Sequence, residues 1–210
     1  MNVRADYRLY LVTDRELSLG RPIEDVVLDA VRGGVTMVQL REKDLPTRPF
    51  VESARRLKTL LDPLDIPVII NDRIDVALAS GADGVHIGQE DMPYGDARRL
   101  LGAEAIIGLS VENLEQAAEA EALDVDYLGV SPIFVTPTKS ELETQWGLEG
   151  LQRLRRKSRK TLVAIGGIGS ENAARVLDAG ADGLAVVSAI CSAADPRAAA
   201  ADLRRIIESN

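Results

Sequence analysis

Three basic residues stand just after apolar runs: Arg41 and Lys43 in QLREKD, and Lys139 in TPTK. Two carboxylates stand in like positions, Asp72 after PVIIN and Asp91 after GVHIG. Each cation alone reads as solvated loop charge. Gathered from two different strands, they suit an anion clamp, because arginine offers a planar fork to phosphate oxygens and lysine a point charge. Two carboxylates on the same rim would repel a phosphate. A divalent cation between them resolves the conflict, since Mg²⁺ takes one or two carboxylates together with phosphate oxygens and water. Alternatively, each aspartate caps a following helix or pairs with Arg41 or Lys43, and spacing leaves that choice open.

Further polar residues close other apolar runs. These are Gln39, Asn71, Gln89, Ser110, Thr136, Thr138 and the pair Val187–Ser188. The glycine run Gly166-Gly167-Ile168-Gly169 is expected to open the seventh helix and to turn amide groups toward an anion, as helix N-termini do. Two anion sites then face each other, one lined by lysine and carboxylates, the other by backbone amides. His86 reads as a packed, hydrogen-bonded residue in preference to a proton shuttle. Cys191 reads as a small packed residue in preference to a nucleophile.

These residues need a frame that brings strand ends together. Strand-like apolar runs occur at 8–13, 36–41, 67–71, 84–88, 105–110, 127–133, 161–167 and 183–190, each followed by a helical pattern. In the first helix Ile23, Val26, Val27, Ala30 and Val31 form one apolar face. A strand, a helix and two loops need roughly 24 residues. Eight such units fill 210 residues, so the expectation is a single (β/α)8 TIM barrel over 1–210 with its site at the C-terminal ends of the strands. Runs apolar throughout fit parallel strands buried on both faces. The rival, a doubly wound open sheet, lacks support in TDRELSLGRP, which carries no G-x-G-x-x-G turn. An internal echo, SGADGVHIG against AGADGLAVV, enters the fourth and eighth strands and fits two related half-barrels.

Composition excludes several partners. A net charge of -8 and 3% aromatic residues disfavour nucleic acid, which asks for surplus cations and stacking platforms. No apolar run reaches membrane-spanning length, and MNVRADYRLYLV lacks a signal-peptide core, so a cytoplasmic location is expected. One cysteine and one histidine rule out the usual zinc ligand sets. Homo-oligomerisation is left open.

The segments QLREK, ND, HIGQ-x-D, SPIF-x-TPTK, GLEGL, AIGGI and VVSAI, in that order over residues 8–190, resemble the thiamine-phosphate synthase family. The resemblance implies an enzyme that joins a pyrimidine-methyl diphosphate to a thiazole phosphate, releasing pyrophosphate, with Mg²⁺ as cofactor. It implies that Gln39, Arg41, Lys43, Asn71 and Lys139 contact the pyrimidine diphosphate. Asp72 and Asp91 would hold Mg²⁺, and Ser110 would touch the diphosphate. Thr136, Thr138, Gly167 and the Val187–Ser188 backbone would meet the thiazole phosphate. Lys139, Ser110 and Arg41 are the expected catalytic groups. The partners implied are two small phosphorylated substrates. Residues 140–146 read equally as a lid or as an ordinary surface loop. Rival functions are a thiazole phosphate tautomerase-like barrel without synthase activity and a non-catalytic phosphometabolite-binding barrel.

Overall fold

A computed structural model describes residues 5–134 and 145–210. Eight strands run in parallel: β1 (Leu9–Val12), β2 (Met37–Leu40), β3 (Val68–Asn71), β4 (Gly84–Ile87), β5 (Ile106–Val111), β6 (Tyr127–Val130), β7 (Leu162–Ile165) and β8 (Gly183–Val186). Each pairs with its sequence neighbour and β8 returns to β1, so the sheet closes as a TIM barrel. Helices α1 (Ile23–Arg32), α2 (Thr47–Leu61), α3 (Ile74–Ser80), α4 (Tyr94–Leu101), α5 (Leu114–Ala120), α6 (Gly147–Arg155) and α7 (Ala173–Asp178) each follow one strand. After β8 come a short α8 (Ser188–Cys191) and a longer α9 (Pro196–Ser209), which packs on α1 and closes the outer ring.

Two boundaries differ from the sequence reading. Strand β8 ends at Val186 and Ser188 already begins α8, so the apolar run to residue 190 is part strand and part helix. Strand β8 is buried throughout and α8 buries Ile190 and Cys191, and a short apolar run of that kind has no period that separates strand from helix. Likewise α7 begins at Ala173, not at the glycine run. Gly166 and Gly167 take positive φ values of 107° and 64°, which bends the chain before the helix instead of starting it.

Sequence pattern explains the packing. Helix α1 buries Ile23, Val26, Val27 and Ala30 on one stripe against the barrel. Each large side chain hidden this way contributes about 1.5–3 kcal/mol. Residues pointing outward from the strands join one apolar layer with the helices. Tyr10, Val12, Met37, Ile69, Tyr127, Val163 and Ala185 instead fill the barrel interior. The buried Cys191 Sγ sits 3.7 Å from the Val12 carbonyl, and burial pushes its thiol up to about 11. It is a packing residue.

The echo has a structural cause at the N-terminal end of the barrel. Asp83, just before β4, accepts from the Val68 amide at 2.7 Å and pairs with Lys58 of α2. Asp182, before β8, accepts from the Leu162 amide at 2.8 Å and pairs with Arg155 of α6. Asp126, before β6, does the same with the Ile107 amide and Arg98 of α4. Thr36, before β2, accepts from the Leu9 amide at 3.1 Å. The repeat is therefore fourfold along the barrel, wider than the two halves legible in the sequence.

Candidate active site

Parallel pairing carries the polar strand ends to one rim. Gln39 and Asn71 point inward from β2 and β3, His86 from β4 and Ser110 from β5, with register pairs Asn71↔His86 and His86↔Gly108 locking neighbouring levels. Arg41 follows β2 with its amide bound to Thr13 Oγ1 at 3.1 Å. Its guanidinium lies 3.7 Å from Asp14, a carboxylate after β1 that sequence reasoning did not single out. Glu42 pairs with Arg15 at 2.5 Å, which leaves Arg41 and Lys43 on either side of a neutralised residue.

Asp72 and Asp91 come together. Asp72 follows β3 in a left-handed conformation, φ 62°, with its amide bound to the His86 carbonyl at 2.9 Å. Asp91 turns back so that its carboxylate accepts from the Gly88 amide at 2.6 Å. Burial and then the neighbouring Asp91 carboxylate push Asp72 up to about 6, while Lys43 and Asn71 draw it down. Neither aspartate pairs with Arg41, so the alternative of simple ion pairs with that residue does not hold. Like charges forced together in a half-buried place, with oxygen donors only, fit a hard divalent cation. Among the described residues no third carboxylate, histidine or cysteine joins them, so the remaining ligands of such an ion would be water and substrate oxygens.

On the opposite side, Gly167 and the Val187–Ser188 turn follow neighbouring strands β7 and β8, paired at Ile165↔Ala185. Asn172 braces the glycine turn, accepting from the Gly169 amide at 2.9 Å and donating to the Gly167 carbonyl at 2.8 Å. Thr136, Thr138 and Lys139 lie outside the described residues. So does most of the expected lid. Its last residue, Trp146, is not part of any free loop: the indole is buried and donates to the Val111 carbonyl at 3.1 Å, while its amide binds Pro132.

His86 is hydrogen-bonded through both ring nitrogens, to Tyr127 at 2.9 Å and to Ser110 at 2.8 Å. Sequence reasoning missed Tyr127 and its partner Tyr10, which sit inside the barrel below this rim. A signal was present. Gly108 and Gly129 interrupt apolar strands, and glycine within a strand marks a close approach of another group.

Three comparisons bear on this geometry. A sequence model of the family described as thiamine monophosphate synthase matches residues 9–190. The thiamine-phosphate synthase of Albidiferax ferrireducens is 61% identical over 202 residues, covering 96% of this chain and 92% of that protein. That of Syntrophomonas wolfei is 52% identical over 99% of this chain and 100% of its own length. The chain belongs to the thiamine monophosphate synthase family. Among solved structures, thiamine phosphate pyrophosphorylase from Pyrococcus furiosus superposes with a TM-score of 0.90 at 42% identity, covering 99% of this chain and 98% of that one. A 3-hexulose-6-phosphate synthase, at 20% identity and a TM-score of 0.71, shares the fold alone. Within the family's matched span, the sequence QLREK–ND–HIGQ-x-D occupies one continuous sector of the rim, β2 through β4.

Proposed function

We propose that this protein is a thiamine-phosphate synthase. It condenses 4-amino-2-methyl-5-(hydroxymethyl)pyrimidine diphosphate with 4-methyl-5-(hydroxyethyl)thiazole phosphate, giving thiamine phosphate and pyrophosphate. The observation that carries the reading is the meeting of Asp72 and Asp91 with Lys43 near them, on the rim that also holds Arg41, in a member of this family. That arrangement suits a diphosphate-bearing substrate better than a single phosphate. The protein works as a transferase of the pyrimidine-methyl group.

The chemistry asks little proton transfer of the protein. The bond between the pyrimidine methylene carbon and the diphosphate oxygen breaks first, and both electrons leave with pyrophosphate. The resulting cation is stabilised by the electron-donating amino group of its own ring. The thiazole nitrogen then forms the new C–N bond. Arg41, Lys43 and Lys139 stabilise the departing negative charge, with Ser110 donating to it. Asn71 and Gln39 orient the pyrimidine. Thr136, Thr138, Gly167 and the Val187–Ser188 backbone hold the thiazole phosphate across the mouth. Mg²⁺, held by Asp72 and Asp91, would neutralise charge on the diphosphate. Preorganised donors of this kind each contribute about 3–4 kcal/mol to such a barrier. Holding both substrates in line supplies much of the rest.

The test is direct. Purified protein, both substrates and Mg²⁺ should yield pyrophosphate and thiamine phosphate in equal amounts. Absence of both products, with the protein folded and both substrates bound, would overturn the reading in favour of a phosphate-binding barrel. Among the described residues no helix is long and apolar enough to cross a membrane, which is compatible with small water-soluble substrates.

A further inference from the structure

The barrel interior carries a row of polar groups of which the chemistry above uses only the two ends, Gln39 and Ser110. Gln39 Nε2 donates to Tyr10 Oη at 3.0 Å. Tyr10 Oη lies 2.9 Å from Tyr127 Oη, and Tyr127 Oη lies 2.9 Å from His86 Nδ1. His86 Nε2 lies 2.8 Å from Ser110 Oγ. Five strands supply the row: β2, β1, β6, β4 and β5. Both phenols are 1% exposed, and Gln39 and Ser110 are 4% and 8% exposed. The fold makes room for it. A Cβ on Gly129 would lie 2.7 Å from His86 Cε1, and one on Gly108 would run into the Tyr127 ring.

Donor counting gives the row a direction. Burial raises both phenols far above their ordinary range, so each keeps its single proton. An amide nitrogen only donates. With Gln39 donating, Tyr10 must pass its proton toward Tyr127, and Tyr127 toward His86 Nδ1. His86 Nδ1 is then an acceptor, and the imidazole carries its proton on Nε2, pointing at Ser110. Ser110 Oγ accepts that bond and keeps its own hydrogen for a ligand. Gln39 keeps its carbonyl oxygen, an acceptor, at the other end.

We propose that Tyr10, Tyr127 and His86 are positioning residues that lock Gln39 as an acceptor and Ser110 as a donor toward one substrate. This rests on the synthase reading, in which both groups meet the pyrimidine diphosphate. An amino group on the substrate ring matches a fixed amide oxygen. A ring bearing an oxo group in that place needs the amide reversed, which sets donor against donor or acceptor against acceptor at a buried link unless the whole row turns over. The row therefore selects an aminopyrimidine over its oxo analogue.

The chain has one histidine, so ¹⁵N-histidine labelling yields one pair of ring-nitrogen resonances. In ligand-free protein the expected state is a single neutral tautomer with its proton on Nε2. Gln39→Glu puts an ionised carboxylate, which only accepts, at the head of the row. At pH 8 Tyr10 should then donate to it and Tyr127 to Tyr10, so that His86 Nδ1 must carry the proton and the tautomer moves from Nε2 to Nδ1. Tyr10→Phe leaves the Tyr127 proton only Nδ1 among the acceptors above and should keep the Nε2 tautomer. An Nδ1–H or doubly protonated ring in the wild type would overturn the proposal, as would an unchanged histidine in folded Gln39→Glu. In turnover, Tyr10→Phe should raise KM for the pyrimidine diphosphate about tenfold, the scale of one hydrogen bond, and leave KM for the thiazole phosphate unchanged. Equal KM values in variant and wild type would remove the row from substrate orientation. The resonance measurement needs no substrate, so its failure is distinct from a failure of the wild type to make thiamine phosphate.

Discussion

The two ends of this barrel treat carboxylates in opposite ways. At the N-terminal end Asp83, Asp126 and Asp182 each accept from a strand amide and each meet a cation from a neighbouring helix. Their charge is matched and their geometry ties strands and helices together. At the C-terminal end Asp72 and Asp91 face one another, and burial with mutual repulsion drives the Asp72 carboxyl up to about 6. One end satisfies its charges within the chain. The other sets two carboxylates side by side, at the place proposed above for Mg²⁺. A TIM barrel separates stability from chemistry in this manner, with loops after the strands free to vary above a fixed base.

Substitutions at the two ends should therefore fail differently. The largest effect is expected at the rim: Lys139→Ala should slow turnover by about 10²–10³ with little change in melting temperature, as when one charge-stabilising donor is lost. Wild-type rates in that variant would take Lys139 out of the mechanism. At the base, Asp126→Ala removes the acceptor for the Ile107 amide and the partner of Arg98. Its cost should be about 1.5–3 kcal/mol in urea unfolding, with turnover at low temperature intact. A loss of activity without a loss of stability would erase the distinction between the ends.

Asp91→Asn should raise the Mg²⁺ concentration needed for half-maximal turnover by about tenfold or more, the usual scale for a disturbed ligand shell. An unchanged magnesium titration would make Asp91 a structural residue, held by the Gly88 amide alone. The smallest effect concerns Asp72. Its folded-state carboxyl is raised from 3.8 to about 6, so the folded protein holds this proton more tightly than the unfolded chain does. That contribution is complete below pH 3.8 and is lost as pH rises through about 6. Asp72→Asn, which tolerates the same left-handed backbone, should thus stabilise the metal-free protein at pH 8 and match it at pH 4. After allowance for solvent screening at this half-exposed site, the gain is about 1 kcal/mol. A variant less stable than wild type at pH 8 would place Asp72 with the matched aspartates of the base.

Much of this was legible along the chain. Gln39, Arg41, Asn71, Asp72, Asp91 and Ser110 were recognisable because each ends an apolar run, and a closed parallel barrel sends all such ends to one rim. The GADG echo likewise marked the turns before β4 and β8, and glycine accounts for the positive φ of Gly81 and Gly180 in them. The start of α7 was misjudged because glycines that bend a chain and glycines that begin a helix look alike in sequence.

The sequence by itself determined the eightfold alternation, the parallel strands and the types of residue available at their ends, since these follow from local periodicity and composition. Only the closed barrel decided that Asp72 meets Asp91, that Arg41 leans toward Asp14, and that Tyr10 meets Tyr127 from 117 positions away. The physical reason is that strands buried on both faces are apolar on both faces. Nothing in such a run tells an inward residue from an outward one until closure gives the sheet an inside.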